Sequence, residues 1–346
     1  MKYLVALVVW LSCAQAFAQG RGDSILLKER SIDRPVNVHR GQLRASGTYR
    51  LGLHTVRFDD AGSRIDLTEG GLSYASNTLV GEVRYGITEY LQASVGMARI
   101  DQAISAPTTY VIAGAYPEVN SLEVYNGWLD VSLGVDFRVP WRSRMQDLLF
   151  SLSATLPTAD SHPDVPNHTV NQTTVGQVTA VSINYQYNKA LGNGVPVIGG
   201  GMLYKHRWQN WAVTGAVGYS KATGPTSTSY WRSQYLNPGF THQQVDFEYQ
   251  RPDELNVAGE VEYQMFPWFD LIGEFRYTSS SGGYSEESGT RETLPSASLL
   301  ALGPGFEIII THRVWFRQRV LIPAMGSNTT GATFYSATIS YNVFLR

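Results

Sequence analysis

The feature that most constrains the fold of this chain is a strict alternation of apolar and polar residues between positions 129 and 139. The odd-numbered positions are apolar from Leu129 to Val139, and the even-numbered positions are small or polar from Asp130 to Arg138. Because successive side chains of a β-strand point to opposite faces, this alternation predicts a strand with one apolar and one polar face.

The same period-two pattern recurs along most of the chain. Eleven further segments show it: 43–53, 79–85, 91–97, 148–156, 181–187, 213–219, 255–265, 271–277, 300–310, 314–322 and 335–345. With the first segment they predict an all-β chain of twelve strands. The stretch from Lys189 to Asn210 is ambiguous, since it fits either a long turn or a hairpin that would raise the count to fourteen.

The lengths of the connections distinguish a soluble sandwich from a closed transmembrane barrel. Four connections are short: 86–89, 140–146, 267–268 and 311–313. Five are long and rich in Gly, Ser, Thr, Asn and Pro: 55–71, 101–125, 158–173, 223–253 and 279–297. Short periplasmic turns and long external loops alternate in this way in outer-membrane barrels, where closure removes the sheet edges that lipid does not tolerate. We therefore predict a transmembrane antiparallel β-barrel.

The amino-terminal residues have the organisation of an export signal. Lys2 precedes an apolar run from Tyr3 to Leu11, and Ala16-Phe17-Ala18 presents small residues at a cleavage position before Gln19. A membrane anchor is the weaker interpretation, because a spanning helix needs about 20 apolar residues.

Three regions follow from these boundaries. Residues 1–18 are predicted to be a signal peptide, and residues 41–346 are predicted to form the barrel. Residues 19–40 contain Lys28-Glu29-Arg30 and Asp33-Arg34-Pro35 without clear alternation. They are predicted to form either a periplasmic tail or a plug in the barrel lumen. The expected location of the protein is the bacterial outer membrane.

Charge and cysteine content narrow the possible partners. The chain has 27 Lys and Arg against 29 Asp and Glu, so a basic surface that binds nucleic acid is not expected. Its one cysteine, Cys13, lies in the predicted signal peptide, which excludes a disulfide or cysteine-based metal framework in the rest of the chain. The expected partners are outer-membrane lipid, a small solute and, during biogenesis, the barrel-assembly machinery.

Three short motifs resemble a family of Gram-negative outer-membrane proteins associated with the meta-cleavage pathway of phenol degradation. The segment from Gly81 to Leu91 is similar to the first tight hairpin of that family. The segment from Gly127 to Gly134 resembles its Gly-Asp-Val strand, and Leu156-Pro157-Thr158-Ala159-Asp160 resembles the end of a further strand. The resemblance implies an outer-membrane barrel that transports hydrophobic or aromatic compounds.

If the apolar strand faces contact lipid, the polar faces line the lumen, since Arg or Lys at the bilayer midplane would cost about 2–4 kcal/mol. The charged residues of these polar faces are the predicted lumen and solute-contact residues: Arg44, Arg50, Glu82, Arg84, Asp130, Asp136, Arg138, Glu260, Glu262, Glu274, Arg276, Glu307, Arg317 and Arg319. They fit a mixed-charge constriction that filters solutes. They also fit ion pairs that rigidify a narrow barrel, and the two interpretations are compatible.

Four of these residues lie on the two strands joined by the predicted turn at Pro267. Antiparallel pairing about that turn predicts that Glu260 lies across from Glu274, with Arg276 close to both. The three glutamates of this group, including Glu262, outnumber its arginine, so the group is expected to attract another lumen base. The expected candidates are Arg317 and Arg319.

Aromatic residues cluster where the predicted strands meet the short turns. They are Tyr85, Tyr90, Trp141, Phe266, Trp268, Phe269 and Trp315. Their amphipathic rings suit the level of the lipid headgroups, so they predict an aromatic girdle. Ordinary strand aromatics are the alternative.

No combination of residues predicts a catalytic site, a metal site or a cofactor. A twelve-stranded barrel also suits an outer-membrane phospholipase, but no histidine stands in a short His-x-Ser strand motif with an Asn nearby. His162 and His168 with Asp160 and Asp164 are suitable metal ligands, although solvated loop polarity explains them better. We expect a channel without enzymatic activity for small hydrophobic or aromatic solutes. A lipid hydrolase and a structural or adhesion barrel are the alternatives.

Overall fold

The computed structural model describes residues 36, 38–68, 74–109, 118–140, 145–162, 167–175, 178–188, 190–236 and 239–345. Twenty strands occur in these residues: β1 (Gln42–Phe58), β2 (Arg64–Asp66), β3 (Tyr74–Gly86), β4 (Leu91–Thr109), β5 (Glu118–Trp128), β6 (Val131–Arg138), β7 (Gln146–Leu156), β8 (Asn167–Val175), β9 (Val178–Asn188), β10 (Val197–Arg207), β11 (Trp211–Ala222), β12 (Thr226–Leu236), β13 (Gly239–Gln250), β14 (Asp253–Phe266), β15 (Phe269–Ser281), β16 (Tyr284–Glu287), β17 (Thr290–Thr293), β18 (Ala297–Ile309), β19 (Val314–Ser327) and β20 (Thr329–Phe344). The described residues contain no helix long and apolar enough to span a membrane. The predicted all-β class is confirmed.

Twelve of the strands close into an antiparallel barrel. Around the wall they follow the order β1, β3, β4, β6, β7, β10, β11, β14, β15, β18, β19 and β20. The last strand pairs with the first from Gln42 opposite Phe344 to Phe58 opposite Thr329, and this pairing closes the sheet. The predicted twelve-stranded barrel is confirmed, and the alternative of fourteen strands is wrong.

One of the twelve predicted segments does not belong to the barrel wall. Residues 181–187 lie in β9, which pairs with β8 and runs parallel to β5. The ambiguous stretch supplies the missing wall strand, β10, between β7 and β11. Its glycines hide the alternation, because Gly199 and Gly201 occupy inward positions without a side chain. A Cβ atom on Gly201 would lie 2.8 Å from the carbonyl oxygen of Val217, so the close strand packing requires glycine there.

The two ends of the barrel differ in the length of their connections. At one end the connections are short: 87–90, 139–145, 208–210, 267–268 and 310–313. The first strand begins and the last strand ends at this same end. The opposite end carries most of the extra strands, including the four-stranded sheet β12-β13-β16-β17. The predicted contrast between short turns and long loops is confirmed, except that β19 and β20 join through Asn328 alone. Asn328 has a φ of 48°, a left-handed conformation that asparagine tolerates better than most residues.

The outward face of the barrel wall is apolar and exposed. Leu133, Val135 and Phe137 on β6 are each more than 40% exposed, as predicted from their alternation with small or polar residues. Comparable aliphatic and aromatic side chains cover the outward face of the other wall strands. A continuous exposed apolar surface of this kind is typical of barrels that contact lipid.

Exposed aromatic side chains cluster at several of the short turns and form an aromatic band there. The rings of Phe266 and Trp268 stack with centroids 5.5 Å apart, and Trp268 is 5.8 Å from Phe269. Sequence reasoning missed Trp208, the first residue of the turn 208–210, and Trp211, which directly follows it; both are about half exposed. Trp315 does not belong to the band. It is buried and faces inward, because its Cα partner on β20 is the inward-facing Ser340.

Two of the sequence predictions concern residues outside the described part of the chain. The signal peptide at residues 1–18 and Trp141 of the aromatic girdle lie there. Within residues 19–40, the structure describes only residues 36 and 38–40. The signal peptide and the choice between a tail and a plug therefore stay predictions.

Candidate functional site: the charged barrel interior

The inner face of the barrel is identified by contacts between strands that are not neighbours in the wall. Arg317 on β19 contacts Glu262 on β14, although β15 and β18 lie between these strands. Such a contact forms only on the concave side of a closed sheet. Because directly opposed residues of adjacent strands lie on the same face, the register from Arg317 places the other predicted lumen residues of the barrel strands inside as well.

Arg317 is the centre of an ion-pair cluster. Its Nη2 donates to Glu262 at 2.7 Å, its Nε donates to Glu307 at 2.7 Å, and its Nη1 donates to Glu260 at 3.3 Å. Lys205 on β10 donates to the second carboxylate oxygen of Glu262 at 2.9 Å. One guanidinium therefore joins carboxylates from two strands, in a geometry that Arg favours over Lys.

The second half of the cluster surrounds Glu274. Glu274 is directly opposite Glu260 in the β14–β15 ladder, as predicted from the turn at Pro267. Arg276 donates to Glu274 at 2.9 Å, and Arg319 bridges the two glutamates, with distances of 2.8 Å to Glu260 and 3.1 Å to Glu274. The expectation that this acidic group attracts lumen bases from another strand is confirmed by these contacts.

The cluster is electrically balanced. Its carboxylates are Glu260, Glu262, Glu274 and Glu307, and its bases are Lys205, Arg276, Arg317 and Arg319. All four carboxylates are buried or nearly so, and their charges are stable there only because each one has a basic partner. This wall of the lumen is consequently rigid and close to neutral.

The opposite wall, formed by β1 and β3, is basic. Arg44 is directly opposite Arg84, and Glu82, 3.0 Å from Arg84, is the acid on this wall. Arg44 donates to the side-chain oxygen of Asn342 at 3.0 Å, and its guanidinium carbon lies 4.7 Å from the ring centre of Trp315. Like charges directly opposite each other in a β-ladder are destabilising, so the pairing of Arg44 with Arg84 raises the free energy of the folded barrel.

A polar cavity of about 670 Å³ separates the two walls. Arg44, Arg50, Arg84 and all members of the ion-pair cluster except Glu274 and Arg276 line it, together with hydroxyl groups from β1 and β20. The hydroxyls are paired, Ser46 with Ser340 at 3.0 Å and Thr48 with Thr338 at 2.8 Å. The interior therefore offers charged and hydroxyl groups to a solute, whereas the outward face is mainly apolar.

A second buried ion-pair group near the short turns was missed by sequence reasoning. The carboxylate of Asp147 has no exposed surface and pairs with Arg138 at 2.6 Å and with Arg207. Arg138 was a predicted lumen residue, but Asp147 and Arg207 were not. Asp147 lies one residue before the predicted strand 148–156. Arg207 lies in the ambiguous stretch. The signal that could have identified it is the charged residue between two aromatic ones, His206 and Trp208, which indicates a strand with Arg207 on its polar face.

Asp130 and Asp136, both predicted lumen residues, have different surroundings. Asp136 accepts a hydrogen bond from Gln92 at 2.6 Å on the inner face. Asp130 lies in the break between β5 and β6, near the outer rim. Its carboxylate accepts backbone N–H groups of Thr158, Ala159 and Asn193 at 2.7–2.9 Å, and also the side-chain amide of Asn193 at 2.8 Å. Asp130 therefore anchors loops at the outer rim and does not belong to the predicted charged constriction of the lumen.

The end of the amino-terminal segment enters the barrel at the short-turn end. Val38 is only 1% exposed, and its backbone N–H donates to the side chain of inward-facing Gln92 at 2.8 Å. The N–H of Val36 donates to Asp147 at 3.3 Å, and Val36 lines the central cavity. These residues therefore occupy part of the cross-section of the lumen.

Within the described ranges, no group of three or more His, Cys, Asp and Glu side chains is arranged to hold a metal ion. His162 lies 3.9 Å from Asp160, and the backbone N–H of His162 donates to the same carboxylate at 2.9 Å. This geometry is that of a polar loop turn. The side chain of His168 and residue 164 lie outside the described part of the chain.

The fold is similar to those of solved outer-membrane channels. An outer membrane channel from Pseudomonas putida F1 superposes with a TM-score of 0.54 at 12% identity, covering 88% of this chain and 96% of that one. The monoaromatic hydrocarbon channel CymD has a TM-score of 0.43 at 8% identity, covering 89% of this chain and 90% of its own. The P. putida toluene transporter TodX has a TM-score of 0.41 at 8% identity, covering 88% and 89%. No protein-family model and no curated protein sequence matches the chain. The first of these similarities shows that the chain has the barrel fold of an outer membrane channel.

Proposed function

We propose that this chain is an outer-membrane channel through which small solutes, aromatic compounds among them, cross by diffusion. The observation that carries the proposal is the closed barrel with an apolar exposed outer wall and a charged, hydroxyl-lined cavity inside. A barrel with this distribution is stable in lipid, since its polar side chains avoid the hydrocarbon. The lumen residues on β1, β3, β14, β15, β18 and β19 are the candidates for solute contact.

The solute class is supported by similarity alone. The motifs of the chain resemble those of proteins associated with phenol degradation, and two structural neighbours carry names that refer to hydrocarbons or toluene. The outer membrane as location and the barrel-assembly machinery as partner belong to the same proposal, since closed antiparallel barrels of this kind are outer-membrane structures.

The amino-terminal segment has a role in the same proposal. Val36 and Val38 are bonded to inward-facing side chains, and this supports the plug over the periplasmic tail for residues 36 and 38–40. We assign to them the function of narrowing the periplasmic end of the channel.

Reconstitution into lipid bilayers tests the channel function. Purified protein that is folded, as judged by heat-modifiable migration in gel electrophoresis, should give discrete single-channel currents and allow neutral aromatic solutes such as benzyl alcohol to swell liposomes. Folded protein that gives neither current nor swelling would contradict the proposal. Hydrolysis of phospholipid by such protein would indicate a lipid hydrolase, and binding to host surfaces without conduction would indicate an adhesion barrel.

A further inference from the structure

Two arginines from different strands flank a small residue at one level of the barrel interior. Ser336 on β20 is directly opposite Arg50 on β1 and also directly opposite Arg319 on β19. The two arginine Cα atoms are therefore separated by two strand spacings, about 9–10 Å. The serine side chain between them is short, and both arginines line the central cavity.

Both arginines have side-chain donor groups without a hydrogen-bond acceptor among the described residues. Among the described residues, the side chain of Arg50 makes no hydrogen bond and no ion pair, and its guanidinium carbon lies 5.7 Å from the ring centre of Phe334. Arg319 uses its two Nη atoms on Glu260 and Glu274, but its Nε is buried without a partner. A buried guanidinium donor without an acceptor costs free energy, and an oxyanion would satisfy it.

The charge of the cavity also favours an anion. Six basic residues line it, against the acids Glu82, Glu260, Glu262 and Glu307, so that two positive charges are in excess. The excess lies on the β1–β3 wall, because the opposite wall is a balanced ion-pair cluster. A narrow lumen with low-dielectric walls concentrates ions of the opposite sign, so small anions accumulate in it.

Aromatic rings accompany these cations. Phe334 lies beside Arg50, and Trp315 lines the cavity beside Arg44. A ligand that has both a carboxylate and a planar ring would place the first against the guanidinium groups and the second against these aromatic side chains. A neutral hydrocarbon would instead have to displace water from charged groups without replacing its hydrogen bonds.

We propose that Arg50 and the Nε of Arg319, on either side of Ser336, bind the carboxylate of a small aromatic acid inside the barrel. This inference rests on the proposed channel function and names small aromatic carboxylates as the solutes that the barrel interior binds, whereas neutral solutes cross without binding at this site. The bound acid accepts hydrogen bonds from both arginines and occupies the cavity between the two walls.

Equilibrium binding of benzoate to the folded full-length chain in detergent tests the site directly, by isothermal titration calorimetry, without requiring conduction. Arg50→Gln should weaken benzoate binding at least tenfold, and Arg50→Lys should retain part of the affinity, since it keeps the charge but loses the paired donors. The matched control is Arg99→Gln, which removes the same charge from an exposed position on the outward face of β4. Benzyl alcohol, the neutral analogue, should bind the wild type at least tenfold more weakly than benzoate.

A second variant tests the site without removing an arginine. Ser336→Val places a larger, apolar side chain between Arg50 and Arg319 and should also weaken benzoate binding at least tenfold, with both charges in place. Equal benzoate affinity in the wild type, Arg50→Gln and Ser336→Val would overturn the inference, as would equal binding of benzyl alcohol. Conduction by a wild type that does not bind benzoate would refute this site and leave the channel function intact. Benzoate binding that depends on Arg50, in protein that does not conduct, would refute the channel function and retain the site.

Discussion

Glu260 and Glu274 lie directly opposite each other on the inner face of adjacent strands, and Arg319 from β19 contacts both of them. Two opposed carboxylates would repel each other in an isolated β14–β15 hairpin. The arginine that makes the pair stable comes from the other side of β15 and β18, so the arrangement is stable only once the wall has curved. The cluster therefore links the charge balance of the lumen to closure of the barrel.

Removal of Arg317 should destabilise the folded barrel strongly. Arg317→Ala leaves Glu260, Glu262 and Glu307 short of a base on a buried face, and breaking such a pair costs about 3–5 kcal/mol. Urea unfolding of the barrel in lipid vesicles measures the change. Arg99→Ala is the matched control. Arg99 is exposed opposite Trp128, near the outer rim, and donates to Asn126 at 3.2 Å, so its loss should change the free energy of unfolding by less than about 0.5 kcal/mol. A similar loss in both variants would show that the cluster does not carry the stability.

Replacement of Arg276 should change ion selectivity without preventing assembly. Arg276→Ala removes a base from beside Glu274, and the added negative potential should raise the ratio of cation to anion permeability about two- to fivefold, for a change of about 0.5–1 kcal/mol in ion energy. Reversal potentials in a salt gradient across planar bilayers give the ratio. An unchanged ratio in a variant that conducts normally would place Arg276 outside the ion pathway.

The carboxylate of Asp130 should hold the loops at the outer rim. Asp130→Ala removes the acceptor of four hydrogen bonds from Thr158, Ala159 and Asn193. The segments that contain these residues should then be cleaved several-fold faster by protease added to intact cells, because local opening of the loop costs less. Asp246→Ala, at an exposed carboxylate on β13, is the control and should leave the cleavage rate unchanged. Equal cleavage of both variants and the wild type would contradict the anchor.

Deletion of residues 20–37 should raise the conductance of the channel. The deletion removes Val36 from the cavity and removes the chain that leads to Val38, whose backbone is bonded to Gln92. A wider periplasmic end should increase single-channel conductance about twofold or more, since conductance follows the narrowest cross-section. If the truncated barrel is folded and conducts no better than the full-length chain, these residues do not restrict the lumen.

Local alternation predicted most of the barrel wall because each strand that contacts lipid needs an apolar outward face. The pattern located eleven of the twelve wall strands, and it identified the inward face of β14 and β15 correctly. It failed at β10, where Gly199 and Gly201 pack against neighbouring strands and provide no polar side chain to alternate. It also assigned residues 181–187 to the wall, since a strand outside the barrel alternates in the same way as a wall strand.

The interior was harder to predict because its contacts join distant strands. The turn at Pro267 fixed the pairing of Glu260 with Glu274, which is a local consequence of one hairpin. The contact between Lys205 and Glu262 depends instead on the order of the wall, in which β11 lies between β10 and β14. Trp315 was misplaced for a related reason. A position near a turn is typical of a girdle residue. The pairing of Trp315 with the inward-facing Ser340, however, places its side chain inside the barrel.

Arginine substitutions on the outward face of β15 give the sharpest test that this face contacts lipid. Leu271 and Phe275 point outward and are each about 40% exposed, whereas Arg276 points inward. Leu271→Arg and Phe275→Arg should each reduce the stability of the inserted barrel by about 2–4 kcal/mol at the bilayer midplane, and by less nearer an interface. Heat-modifiable migration and urea unfolding in lipid vesicles should report this loss, while Arg276→Ala should insert as the wild type does. Normal insertion of both outward arginines, together with failed assembly of Arg276→Ala, would mean that the outward face of β15 does not contact lipid.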